Sequence, residues 1–389
     1  MAASHKHCLV YAPYSLNGRG PGESCASILS GFAPQRMATD LFIGRTRKSL
    51  PDNIRIHQSL APIIRKAPWR LVSRMALESL DRVFAKAIRA AKPADTIAYF
   101  WPDPPVHLVE LARQQGLITV REMINSACAT AGPILDAAYA RLELPTTMHP
   151  VSPEKISQEN KELSSYDFFF ASNPEVESSL IRLGVQPDQI LSTTFGWNPS
   201  RFAHSVPVKR IGRGVRLLYV GLVGVRKGVP ELLEAWERAD VEGELLLAGT
   251  VEPEIADIVA RHVAGGRVRQ LGFIEDIGAL YLGSDIFAFP TLEEGGPQVT
   301  YEAAGCGLPI ITTPMGAARL VATGVTGIVV APGEVSELAD AIWLLAQRAD
   351  LRRAYGTAAK AAAVEFDYKT VGAQRCELLG GLTPIDAPS

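Results

Sequence analysis

The feature that most constrains this chain is an alternation. Short, continuous apolar runs recur with helical patterns between them along nearly all of its 389 residues. Strands that are apolar at every position, rather than at every second one, are buried on both faces. Such strands alternating with helices lead to parallel sheets covered by helices. In the second half the pattern predicts strands over Arg216–Gly221, Glu244–Gly249, Arg267–Phe273, Ile286–Pro290, Pro309–Thr312 and Gly327–Val330. Helices are expected over Pro230–Ala239 and Glu252–Val263. The first half is less regular: Cys8–Ala12, Asp40–Gly44, Thr96–Phe100, Ile118–Arg121 and Asp167–Ala171 read as strands, with a helix from about Ser24. Ser205–Gly214 is polar, carries Pro and Gly, and reads as a linker. The expected fold is α/β, with two Rossmann-like doubly wound domains facing a cleft.

Bulk properties exclude several classes. A net charge of −2 gives no global reason to expect nucleic acid as a partner. No apolar run reaches the roughly 20 residues a membrane span needs, and the run within Met1–Tyr14 is too short for a signal peptide. The five cysteines are scattered without metal-ligand spacing and fit reduced thiols, so the expectation is a cytoplasmic protein with no metal site and no cofactor.

The chemistry is concentrated in Pro290–Ala303. A buried strand ends there in a Gly-Gly turn, and Pro297 stands where a helix would begin. Glu294 and Glu302 flank the turn, with Glu302 about one and a half turns into the helix. Unpaired N–H groups at a helix start attract anions. Carboxylates beside them accept hydrogen bonds from polyol hydroxyls. One loop would therefore hold a phosphate and a sugar together. Arg226 and Lys227, beside Gly228, follow the strand Arg216–Gly221 and would neutralise a diphosphate, Arg as a planar fork and Lys as a mobile point charge. The ordinary alternatives are capping acids and a basic surface turn.

Taken together, these pieces resemble the retaining GT-B glycosyltransferases, the large group that includes family four. The resemblance rests on Glu294-x7-Glu302, on Leu218-Tyr219-Val220-Gly221 with Arg226-Lys227-Gly228, and on Leu271-Gly272-Phe273, Gly307-Leu308-Pro309 and Gly324-Val325-Thr326-Gly327 in the family's order. It covers Val215 to Phe366 well and the first half weakly, through Ala171-Ser172-Asn173 and Phe195–Phe202. The resemblance implies a metal-independent enzyme that takes a sugar from a nucleoside diphosphate donor, with retention at the anomeric carbon. It implies an acceptor domain over 1–206, a donor domain over 207–366 and a last helix, within 367–389, crossing back to the first domain. Glu294 would contact donor-sugar hydroxyls and Glu302 the ribose. Gly295, Gly296, Gln298 and Val299 would lend backbone N–H groups, and loops near Gly249, Phe273 and Ile274 would read the base. The acceptor would be a saccharide or a lipid-linked sugar. The rivals are a sugar-nucleotide binding scaffold without catalysis, and a related epimerase or phosphorylase.

There are departures from the family pattern. Leu222 stands where many relatives place an Arg, with Arg226 as the candidate second charge. The family's first-domain His has no counterpart, and Glu122 or Asn125 would take part of its role. The loop Asn17–Ser24 is not a clean dinucleotide fingerprint; Gly20 and Gly22 would approach donor phosphates or acceptor, or would simply form a tight turn.

From Ile54 to Lys92, nine Arg or Lys residues face only Glu78 and Asp81. Val72, Met75, Ala76, Leu80, Val83, Phe84 and Ala87 recur at helical spacing among them. That stripe packs on a sheet or lies on an anionic membrane. The second reading expects peripheral association with the inner membrane face through Arg65, Lys66, Arg70 and Arg74.

Overall fold

A computed structural model describes residues 6–16, 18, 20–46, 49–145, 150–209 and 212–384. Its strands fall into two sheets. The first contains β1 (Lys6–Leu16), β2 (Met37–Thr46), β3 (Ile54–Gln58), β4 (Thr96–Phe100), β5 (Ile118–Met123), β6 (Phe168–Ala171) and β7 (Ile190–Ser192). Their order is 3-2-1-4-5-6-7, and every pairing is parallel. The second contains β8 (Val215–Val220), β9 (Gly243–Ala248), β10 (Val268–Gly272), β11 (Ile286–Phe289), β12 (Ile310–Thr312) and β13 (Gly327–Val329), in the order 10-9-8-11-12-13, again all parallel. Each order reverses beside its first strand, as a doubly wound sheet does. The expected pair of Rossmann-like sheets is therefore present.

Burial explains the strands. All five residues of β4 and all four of β11 are buried, so both faces are covered. Along β1, Cys8, Val10 and Ala12 enter one core while Leu9 and Tyr11 enter the opposite one. The helix Trp69–Ala90 covers the Leu9 face with Leu80, Phe84 and Ile88. On the other face lie Cys376 and Leu379 of the helix Tyr368–Gly380, which also packs against the helix Gly20–Leu29. A Cβ on Gly372 would stand 2.1 Å from the carbonyl oxygen of Ile28, so that crossing needs glycine.

The differences from the expected elements have physical causes. β3 and β7 are short edge strands at the two ends of the first sheet, and β3 alternates apolar with polar residues instead of running continuously apolar. The basic stretch after Ile54 thus begins in an edge strand. β5 continues through Glu122 to Met123, so Glu122 lies within the sheet rather than in the loop beyond it. The first helix starts at Gly20, whose φ of +70° is open to glycine.

Candidate functional site

In a doubly wound sheet the loops at the reversal of strand order open a crevice at the carboxyl ends of the strands. In the second sheet these are the loops after β8 and β11. They are stitched together. The Leu292 N–H donates to the Arg226 carbonyl at 3.0 Å, and the Thr291 hydroxyl reaches the same oxygen at 3.3 Å. Gly228 makes this possible: its φ is +67°, and a Cβ there would sit 2.0 Å from the Pro290 carbonyl oxygen.

The stitching sets two adjacent cations against two adjacent carboxylates. Lys227 pairs with Glu294, and Arg226 Nε lies 2.8 Å from Glu293 Oε2. The Lys227 ammonium also stands 5.8 Å from the centroid of the Phe289 ring. Burial would push the Glu294 carboxyl up, but Lys227, Arg226 and the Gly295 N–H together hold it below the usual carboxylate value. Glu294 is therefore anionic at neutral pH.

The same loop touches the first half across the cleft. Arg226 Nη2 donates to Asn125 Oδ1 at 2.7 Å. The Ser126 N–H and hydroxyl both donate to Glu293 Oε1 at 3.0 Å. Gly295 is glycine because a Cβ would fall 1.8 Å from the Ile124 carbonyl oxygen; at Gly296 it would meet the Phe195 ring at 1.7 Å. Between these loops lies a cavity of about 410 Å³, whose charged wall includes Asp103, Arg121, Lys155, Glu159, Arg226 and Glu293.

The remaining expected residues are distributed around this centre. Gln298 opens the helix Gln298–Gly305, donates to Ser24 Oγ and accepts from Tyr368 Oη, both at 2.7 Å. Val299 follows it, with its carbonyl near Tyr281 Oη. Glu302 is buried, its oxygens bonded to Arg201 at 2.9 Å and Tyr281 at 3.2 Å. Burial raises its carboxyl above the ordinary value, with Arg201 opposing the shift. Phe273, just past β10, is 59% exposed. Gly22 packs tightly, since a Cβ would lie 2.9 Å from Tyr14 and Leu16, whereas at Gly20 it would meet open space. Asn17 and Arg19 of that loop lie outside the described residues.

Two of the expected residues are engaged within the protein. Glu122 lines the cavity but is otherwise buried beneath the C-terminal helix, paired with Arg375 at 2.7 Å and bonded to Tyr99 and Ser172. Arg226 and Lys227 both donate to the Glu293 carbonyl, at 3.2 and 3.4 Å, while Glu293 Oε2 and Asn125 draw the Arg226 guanidinium toward the first half. Sequence reasoning missed Glu293, Ser126, Arg201 and Tyr281. For Glu293 a signal existed: the doublet Glu293-Glu294 mirrors the doublet Arg226-Lys227.

Comparison with known proteins adds an independent line. Residues 214–348 match the family described as glycosyl transferases group 1. A stretch of 145 residues is 30% identical to the capsular polysaccharide biosynthesis glycosyltransferase CapM of Staphylococcus aureus, covering 36% of this chain and 38% of that one. The chain matches less than half the length of the first curated relatives, 38% of CapM and 46% of the next. The sucrose-phosphate synthase of Thermosynechococcus elongatus superposes with a TM-score of 0.70 at 20% identity, over 96% of this chain and 98% of that one. HepE of Anabaena, solved with UDP and glucose, gives 0.65 at 17% identity, over 97% of this chain and all of the other. At such identities the structural likeness concerns the fold. The second sheet thus carries the match to the glycosyl transferases group 1 family, and the two-sheet architecture as a whole is the GT-B fold.

Proposed function

We propose that this protein is a retaining, metal-independent glycosyltransferase. It moves a sugar from a UDP- or GDP-linked donor to a saccharide or lipid-linked acceptor in polysaccharide or glycolipid assembly. The observation that carries the reading is the Lys227–Glu294 pair at the reversal point of the second sheet. An ammonium and an ionised carboxylate held side by side suit a diphosphate joined to a polyol. An arriving diphosphate competes for Lys227, and Glu294, kept anionic, turns to the sugar hydroxyls. Lys227 then meets the charge that develops on the leaving phosphate, which lowers the barrier. Glu302 serves the ribose, and the N–H groups of Gly295, Gly296, Gln298 and Val299 the phosphates. Phe273 belongs to the base-reading edge, and Gly20 and Gly22 shape the facing loop. Asn125 and Arg226 face the acceptor. Residues 1–206 make up the acceptor domain and 207–366 the donor domain, with the helix Tyr368–Gly380 returning to the first. The relative HepE was solved with UDP and glucose, and CapM is named for capsular polysaccharide biosynthesis; both fit this reading.

We also propose that the first domain rests on an anionic membrane. The stripe of the helix Trp69–Ala90 buries Val72, Ala76, Leu80 and Phe84 on the protein itself. Ile63, Leu71 and Met75 stay exposed beside Lys66, Arg70 and Arg74, with Arg65 partly covered. Basic residues near such a surface contribute about 1 kcal/mol each. No helix of the described residues is long and apolar enough to cross a membrane. Protein that fails to co-sediment with anionic liposomes at low salt would rule the surface out.

The activity is tested by incubating the protein and EDTA with UDP- and GDP-sugars, with and without a bacterial lipid extract, and measuring free nucleoside diphosphate. Release from one donor that is lost in Glu294→Ala supports transfer. Tight nucleotide binding with no release under any condition supports the scaffold instead. Absence of binding to either nucleotide removes the donor reading.

A further inference from the structure

We infer that Glu293 is a positioning residue that sorts the two adjacent cations, leaving Lys227 to the donor and holding Arg226 at the wall of the acceptor cavity. The inference rests on the proposed donor role of Lys227.

Glu293 is 2% exposed, and both of its carboxylate oxygens are occupied. Oε1 accepts the two Ser126 hydrogen bonds, from the first half of the chain. Oε2 takes Arg226 Nε at 2.8 Å, and the Glu293 carbonyl accepts from the same nitrogen at 3.2 Å. The far end of the guanidinium is then directed to Asn125. Arg226, Glu293, Asn125 and Ser126 all line the cavity, whereas Lys227 and Glu294, one residue further along each loop, do not. Lys227 Nζ also reaches the Glu293 carbonyl, at 3.4 Å, so the two cations share that oxygen and part beyond it, Lys227 to Glu294 and Arg226 to Glu293 Oε2 and Asn125.

Electrostatics keep the arrangement in place. If Arg226 swung toward a diphosphate, Glu293 would remain as a buried carboxylate without its cation, a strongly unfavourable state. Glu293 therefore restrains the guanidinium and presents it to acceptor oxygens. Removing the charge at Glu293 removes the restraint, so Arg226 becomes free to reach the diphosphate. A damaged structural residue would weaken nucleotide binding; a lost restraint strengthens it.

The test is calorimetric titration of UDP, and of GDP in parallel, into the full-length protein and its variants. Lys227→Ala is expected to lose about tenfold in affinity, equivalent to one charge-assisted hydrogen bond, while Arg226→Ala stays within about twofold. Glu293→Gln, which keeps an acceptor for Ser126, should tighten binding several-fold, and Glu293→Gln/Arg226→Ala should abolish that gain. Glu293→Asp, which retains the charge, should stay near the wild type. Equal losses in Arg226→Ala and Lys227→Ala would overturn the inference, as would unchanged or weaker binding in a folded Glu293→Gln. The comparison of Arg226→Ala with Lys227→Ala decides the matter even if the Glu293 variants do not fold. Wild-type protein that binds neither nucleotide would remove the donor reading, and this inference with it; wild-type binding without the expected split removes the inference alone.

Discussion

Each half of the molecule places an acid–base pair near the carboxyl ends of its central strands, and the two pairs have opposite fates. Glu294 and Lys227 of the second half keep side-chain exposures of 16% and 12%. Glu122 of the first, paired with Arg375 of the C-terminal helix that packs on it, is at 0%, as is Arg375. The first pair borders a cleft, where a ligand can compete for either partner. In the second, Glu122 lines the neighbouring cavity, but its carboxylate is paired out of reach of solvent beneath the helix Tyr368–Gly380. There the Arg375 guanidinium also donates to Thr193, Thr194 and Ser172, which ties that helix to strand ends of the first sheet. The same chemistry yields a site in one place and a lock in the other, and the deciding factor is whether solvent and ligand can reach the charges.

The comparison is most exposed to Arg375→Ala. It would leave Glu122 buried without a counter-charge, at a cost of about 3–5 kcal/mol in stability. Urea denaturation measures the loss, and UDP affinity per folded molecule should not change. A stable variant with lost activity would return Glu122 to the catalytic candidates. Lys227→Ala should do the reverse. Turnover falls about a hundredfold, measured by nucleoside diphosphate release, with a smaller loss of stability because Glu294 retains some solvent. Gly228→Ala comes next. Its left-handed backbone alone would cost about 1–3 kcal/mol, and its Cβ, 2.0 Å from the Pro290 oxygen, would force the two donor loops apart. Both the melting temperature and UDP affinity should fall.

The smallest expected effect is on pH dependence and sharpens the contrast within the donor loop itself. Glu294 has a folded value below the ordinary 4.5, so its contribution to stability is present above that value and is lost as pH falls through the folded one. Glu302 has a folded value above 4.5, so its contribution is present below that value and is lost as pH rises from there through the folded one. Stability curves from pH 3 to 8, about the range where carboxylates titrate, should therefore change in opposite senses in Glu294→Gln and Glu302→Gln. Parallel changes would mean that the two carboxyls share one environment.

Much of the fold was legible in the order of residues. β4, β11 and β12 are short, mainly apolar runs covered on both faces, and their pattern does not depend on their neighbours in space. β3 and β7 were not legible, because an edge strand has one solvent-facing side and no need of a continuous apolar run. The site divided in the same way. Glu294, Lys227 and the Gly-Gly turn stand close to strands that can be recognised, so their meeting could be expected once the strands were placed. The Gly-Gly turn had a different cause from the expected one: Gly295 and Gly296 lack side chains because Ile124 and Phe195 of the other half approach them.

The sequence by itself carried the repeating strand–helix pattern, the doublets of charge and the position of the turn, since these depend on residues within a few places of one another. Only the tertiary structure decided which charge meets which. Glu122 finds Arg375 across 253 positions, Ser126 finds Glu293 across 167, and Arg201 finds Glu302 across 101. Those pairings follow from which strand becomes neighbour to which at the two reversal points, and from how deeply each strand end is covered. Both are outcomes of packing apolar surface over the whole chain, and no short window of residues contains them.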